Sequence, residues 1–261
     1  MSGRISWSAL AMLVAALVFL IGPFVVIFVA GFSADETLAF PPQNYGLRWV
    51  LYLFTVEAFQ RSFVTSLVVG AGSTAAALAL GVPVAYAMSR FDFRGKEAVK
   101  TLLTLPLIVP GIIVGLALLQ LMVLAYALPV TASLLVGHTT LLVPYAVRVV
   151  GSSLANLRTD IDDAAVTLGA TRLQAFFKVV LPNIRGGVAA AAVLAFITSF
   201  NQVPVSLFLT GPGVSTLPIE MMAYMETSYD PSIAALSTLL VLFTIGVVAV
   251  TERVLGISKY V

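Results

Sequence analysis

The sequence predicts an all-α protein, a polytopic transmembrane helical bundle with six spans. Three observations predict it. Of 261 residues, 60% are hydrophobic and only 10% charged, where a soluble domain carries about a quarter charged residues, and the mean hydropathy is +1.05. The apolar residues gather into six runs, each long enough to cross roughly 30 Å of hydrocarbon as a helix. Lys and Arg then fall almost wholly on one side of the topology those runs define, as the excess of basic residues in cytoplasmic loops requires.

The first run, residues 9–31, follows Arg4 and exceeds the length of a signal-peptide core, so it reads as an uncleaved span. The others cover residues 62–88, 101–127, 132–153, 187–210 and 232–250. Gly81, Pro83, Pro106, Pro110, Gly111, Pro144 and Pro204 punctuate them and read as kinks, which membrane helices tolerate when neighbours re-satisfy the freed backbone groups.

With both termini inside, the inner side holds 12 of the 14 basic residues: Arg4, Arg90, Arg94, Lys96, Lys100, Arg148, Arg158, Arg172, Lys178, Arg185, Arg253 and Lys259. Only Arg48 and Arg61 lie outside, alongside the acids Asp35, Glu36, Glu57, Glu220, Glu226 and Asp230.

The longest inner loop, residues 155–185, joins spans four and five and spells two short helices. Thr159 or Asp160 caps the first, with Asp162 or Asp163 three residues on, and these acids suit the positive end of the helix dipole. Gly169 stops it, being able to take a left-handed conformation cheaply. Thr171 opens the second with Gln174 three residues later, a capping-box pattern, and Leu173, Phe177, Val180 and Leu181 form an apolar stripe that Pro182 ends. Small residues on the first helix, Ala164 and Ala165, together with Gly169, permit close approach by another protein.

Cysteine is absent, which excludes disulfides, thiolate metal sites and Cys nucleophiles, and the single histidine, His138, leaves no metal cluster. No basic run interleaved with aromatics suggests nucleic acid. His138, in span four, reads as a neutral histidine hydrogen-bonded to a neighbouring helix in preference to a substrate ligand. Arg148, near the inner end of that span, either snorkels to the interface or pairs with a cytoplasmic acid. In span five, Asn201, Gln202 and Ser206 surround Pro204; polar groups at that depth either bond between helices or line a translocation path.

Several stretches resemble a known family. The Asp163-Ala164-Ala165 triplet, Gly169 four residues after Ala165, and Val179-Val180-Leu181-Pro182 match the cytoplasmic loop of inner-membrane permease subunits of ATP-binding-cassette importers, with Asp for Glu and Val for Ile. The likeness, to the six-span kind related to spermidine and putrescine permeases, extends to RFDFRGK (residues 90–96) and LTGPGVSTLPIEMMAYM (residues 209–225). It implies the type I (MetI-like) architecture, with one permease domain over residues 1–261 and a coupling loop at 155–185. By the same resemblance, a coupling helix at about 161–168 rests in a groove of the ATPase, with Asp163, Ala164, Ala165, Gly169, Leu181 and Pro182 as the coupling residues. The implied partners are an ATPase dimer, a second permease chain, an extracytoplasmic solute-binding protein and membrane lipid.

A phosphate-binding loop needs Gly-Lys followed by Ser or Thr, and here Gly95-Lys96 precedes Glu97. The chain is therefore expected to be no enzyme and to hold no cofactor, ATP and magnesium being bound by the partner. The expected cargo is a polyamine or a related amine or amino-acid-like solute, although polyamine permeases carry acids near the position of Asn201 and Gln202. An ion-coupled secondary transporter is the alternative; such proteins need ionisable groups within the membrane, and the middle of the spans offers only His138. An intramembrane hydrolase lacks its nucleophile elbow.

Overall fold

The computed structural model describes residues 6–255, so Arg4 and Lys259 of the topology argument lie outside the described residues. In chain order the helices are α1 (Trp7–Gly31), α2 (Arg48–Leu53), α3 (Glu57–Arg90), α4 (Lys96–Ile108), α5 (Gly111–Leu118), α6 (Val130–Ala155), α7 (Asp160–Thr167), α8 (Arg172–Ala175), α9 (Leu181–Asn183), α10 (Arg185–Phe200), α11 (Ser206–Leu209), α12 (Leu217–Thr227) and α13 (Ser232–Leu255). Two π-helical segments, Leu119–Ala125 and Phe176–Val180, prolong α5 and α8.

Four of these helices, α1, α3, α6 and α13, are long and apolar enough to cross a membrane, and two bent pairs bring the number to six if each pair is one span. α1 starts at Ser6, whose hydroxyl accepts from the Ala9 amide at 3.2 Å, and its apolar surface is exposed nearly all round, as befits a helix solvated by lipid. α3 and α6 run unbroken through Pro83 and Pro144.

The third and fifth expected spans are not single helices. α4 and the α5 segment meet at 100°. Pro110 forces the residue before it out of the helical region, and Val109 is extended at φ −70°, ψ 132°, which ends α4. Pro106, by contrast, stays inside α4. α10 stops at Phe200, and Asn201 at φ −95°, ψ 11° leads into a non-helical stretch before α11. Pro204 there cannot donate the amide a continuing helix would need. The α8–α9 segment and α10 also meet at an angle, 72°.

The chain forms two compact units. In the unit of residues 6–60 and 221–245, Asp35 organises the loop after α1. Its carboxylate accepts from the Gln43 amide at 2.8 Å and the Asn44 side-chain amide at 2.8 Å, and its carbonyl accepts from the Trp49 indole at 2.8 Å. In the unit of residues 61–220 and 246–255, one buried cluster joins Val82 and Ala85 of α3, Val150 and Leu154 of α6, and Phe176, Val180 and Ile184 beyond α8. A second joins Val69, Leu118, Leu134, Leu141, Val205 and Leu209.

Candidate functional site

The loop after α6 is built as two helices and a glycine corner, and the corner closes as expected. Gly169 sits at φ +93°, with the Ala170 amide donating to Ala165 O at 3.1 Å and the Gly169 amide to Val166 O at 2.9 Å, the paired bonds of a Schellman ending. The Thr171 hydroxyl accepts from the Gln174 amide at 3.2 Å, while the Gln174 side chain accepts from the Thr171 amide at 2.9 Å, completing the capping box.

Other details differ from expectation. Thr159 precedes α7 in a helical conformation and makes no side-chain cap. Pro182 does not end the second helix: the helical stretch begun at Arg172 runs on through Asn183, and the chain breaks at Ile184 instead. The π-helical turn at Phe176–Val180 holds one more residue per turn than an α-helix, and that shifts the buried face. Ala175, Phe176 and Val180 are buried, whereas Leu173 and Phe177 of the expected stripe are exposed, and Leu181 is half-buried.

Asp162 decides how α7 is held. It is buried, and its Oδ2 accepts from Arg90 Nε at 3.0 Å and from the Tyr86 hydroxyl at 3.2 Å. Arg90 also donates through Nη2 to the carbonyls of Leu157 at 3.2 Å and Arg158 at 3.5 Å. Both charged side chains are only 6% exposed. The last turn of α3 thus grips the connection between α6 and α7 together with the buried face of α7. The Tyr86 ring, 4.9 Å from that of Phe176, adds an aromatic wall.

The opposite surface is open. Asp163 and Ala164 are exposed, Ala165 is half-buried and Pro182 is exposed. Leu168 is 88% exposed, more than any other large apolar side chain among the described residues, and Leu173 and Phe177 are also bare. Nothing lies within 4 Å of the position a Cβ would take on Gly169. Beside α7, an exposed ion pair to Arg158 holds the Asp160 carboxyl below its ordinary range.

The second cluster of predicted residues lies where α10 breaks. Asn201 is exposed, its side-chain amide donating to Ile197 O at 3.1 Å, and Gln202 is half-buried. Ser206 is fully buried and is bonded to His138. His138 is buried between two hydroxyls, Nδ1 2.7 Å from Ser199 Oγ and Nε2 2.9 Å from Ser206 Oγ; Ser199 Oγ lies 3.0 Å from Ser73 Oγ.

Proton counting orients the chain. Ser73 spends its proton on Val69 O, so it accepts from Ser199; Ser199 then accepts from Nδ1–H, and Nε2 accepts from Ser206. A neutral imidazole with its proton on Nδ1 satisfies every member. Arg148 makes no ion pair among the described residues, so of its two expected roles the pairing with a cytoplasmic acid is not formed.

Residues 77–257 match the family described as binding-protein-dependent transport system inner membrane component. The chain belongs to that family. It is the transmembrane permease subunit of an ATP-binding-cassette importer. The permease is 33% identical over 237 residues to the putrescine transport system permease protein PotI of Escherichia coli (strain K12), covering 88% of this chain and 84% of the relative. It is 28% identical over 232 residues to the spermidine/putrescine permease protein PotC of the same strain, covering 89% and 88%.

Among solved structures, the fold is similar to a chain of the bacterial alginate ABC transporter in complex with an alginate pentasaccharide-bound periplasmic protein, with TM-score 0.71, 18% identity and 95% and 94% of the two chains covered. It is also similar to a chain of the MetNI methionine ABC transporter, with TM-score 0.63, 20% identity and 79% and 96% covered.

Sequence reasoning missed Arg90, Tyr86 and Asp162 as a group, since Arg90 and Asp162 are 72 positions apart and no local spacing announces their pairing. It also missed Ser73 and Ser199. The available signal was weak: Ser73 is one of four serines on α3, and Ser199 follows Thr198 near the end of α10.

Proposed function

We propose that the permease forms half of a translocation pathway for a polyamine or a related amine or amino-acid-like solute, and that α7 couples it to the ATPase. The carrying observation is the two-sided arrangement of the α7 loop, tied inward through Asp162 and Arg90 and leaving Asp163, Ala164 and Leu168 outward. A short helix held firmly on one face and bare on the other transmits a push. Gly169, Leu181 and Pro182 set the corner and the second helix that keep it in place.

In this reading a second, homologous but different permease chain completes the pore. An ATPase dimer holds ATP and magnesium, and an extracytoplasmic binding protein delivers the solute. The chain is a single permease domain, residues 155–185 forming its coupling loop, and sits in a bacterial inner membrane with both termini cytoplasmic. Asn201 and Gln202 line the path at the α10 break, while Ser206 serves it through His138. The names of PotI and PotC support the amine class.

Affinity purification from the native membrane, mass spectrometry of the co-purifying chains and reconstitution into vesicles test this. The expected result is co-purification of an ATPase and a second permease, with uptake that requires ATP and binding protein. In sealed cells, a cysteine at Glu36 reacts with an impermeant thiol reagent and one at Arg94 does not. Solute uptake by this chain alone on a proton or sodium gradient would refute the proposal.

A further inference from the structure

Between α6 and α10 lies a groove of about 550 Å³, lined among others by Tyr145, Arg148, Ser152, Asn156, Gly187 and Leu194. The two helices approach closely beside it: a Cβ on Gly187 would stand 1.8 Å from Ser153 Oγ, so only glycine permits this packing. Arg148 is exposed to the groove. It lies seven residues before the end of α6, roughly 10 Å along the axis at 1.5 Å per residue.

Its isolation is the informative feature. Residues 101–157 and 186–219 contain no Asp, Glu, Lys or Arg except Arg148, and among the described residues no acid pairs with it. A guanidinium inside an apolar span is costly unless it faces water, a partner or a headgroup. The groove wall is largely apolar, through Val149, Ala190 and Leu194, but it also carries a phenol, hydroxyls and a side-chain amide, which the apolar surface of α1 lacks. A planar cation with forked donors, flanked by neutral hydrogen-bonding groups, suits a carboxylate. It repels a diamine.

We infer that the α6–α10 groove is a carboxylate-binding station on the solute path, with Arg148 as its cation, so that the solute is amino-acid-like and not a simple polyamine. The inference rests on the permease reading and narrows its cargo. The amides Asn201 and Gln202, where a polycation would call for acids, agree with it.

The absence of cysteine allows a test that does not need the solute's identity. Ser152 is four residues from Arg148, hence about 5–6 Å away on the same helix face. A unit charge at that distance in water changes the local concentration of a charged reagent about threefold, in opposite senses for the two signs, so the ratio changes about tenfold. In the assembled importer, Ser152→Cys is treated with a sulfonate-bearing and a trimethylammonium-bearing methanethiosulfonate, each rate normalised to a free thiol. The anionic reagent is expected to be favoured about tenfold, and Arg148→Gln in the same background to abolish the preference. Asn156→Cys, on the same groove, serves if Ser152→Cys fails to assemble.

4-Aminobutyrate is expected to protect the cysteine better than 1,4-diaminobutane at equal concentration. No anion preference, or a preference that survives Arg148→Gln, overturns the station. Equal or better protection by the diamine overturns the carboxylate assignment. A cysteine closed to both reagents in vesicles but open in detergent would assign Arg148 to lipid phosphate. One closed only in the assembled importer would assign it to the second permease chain. Either result overturns the inference. Failure of the permease reading shows separately, as absence of any co-purifying ATPase.

Discussion

Replacing Asp162 by Asn keeps the shape of the side chain and removes its charge, leaving the Arg90 guanidinium, 6% exposed, without its counter-ion. Removing one partner of a buried ion pair costs about 3–5 kcal/mol. The lower end applies here, because Arg90 keeps the carbonyls of Leu157 and Arg158 and because Asp162 Oδ1 already has no partner. A loss of about 3 kcal/mol multiplies the undocked population of α7 about a hundredfold. With eight residues, α7 has too few turns to stay helical once undocked.

Hydrogen exchange on the purified importer should therefore show the amides near the end of α7 exchanging about a hundredfold faster. Uptake should fall while basal ATP hydrolysis continues. The double variant Arg90→Met with Asp162→Leu, which replaces the pair by apolar groups of similar size, should restore most of the protection, since such exchanges are often neutral or stabilising. Unchanged protection and unchanged uptake in Asp162→Asn would show that the ion pair does not hold the helix.

Gly169→Val should leave the chain in the membrane but abolish uptake, because a β-branched residue at φ +93° is strained by about 1–2 kcal/mol; Gly169→Asn, which tolerates that conformation, should retain more activity in the same uptake assay. Changing both Asn201 and Gln202 to Leu should lower uptake with assembly and basal hydrolysis intact, whereas loss of assembly on a sizing column would assign the amides to packing. Asp35 predicts a pH dependence. Its carboxyl is held below the ordinary range by the Asn44 side chain and the Gln43 amide, so its contribution is full above the unfolded value of about 3.9 and is lost only as the pH falls through the lowered folded value. Limited proteolysis of the loop around residues 35–44 should be constant from pH 7 to 5 and rise in stronger acid; Asp35→Ala should be cleaved readily at every pH.

Helices α1, α3, α6 and α13 were legible because an apolar run of bilayer length has few alternatives. The Gly169 corner and the Thr171–Gln174 box were legible because they are local, each needing only residues within one turn. The bend at Pro110 and the end of α10 at Phe200 were not, since Pro83, Pro106 and Pro144 sit inside continuous helices and proline alone does not distinguish a kink from a break. Which part of the stripe is buried, Val180 and not Leu173 or Phe177, was not legible, because a π-helical turn changes the period on which stripe counting depends. Burial of Asp162, among neighbouring acids that remain exposed, is set by Arg90 of another helix, and composition within the loop carries no trace of it.

The hydroxyl–imidazole chain has a mechanical consequence. Ser199 and Ser206 lie on either side of the interrupted stretch 201–205, and both bond to the single ring of His138, whose helix is in turn linked through Ser199 to Ser73 of α3. A slip of about half an ångström would carry the 3.0 Å Ser73–Ser199 contact to the limit of a hydrogen bond, and a buried polar group left without its partner is costly. The interruption in α10 is therefore a corner braced on both arms, not a hinge. The four helices α3, α6, α10 and α11 are expected to travel as one lever, with the bending of the transport cycle left to places that lack such a brace.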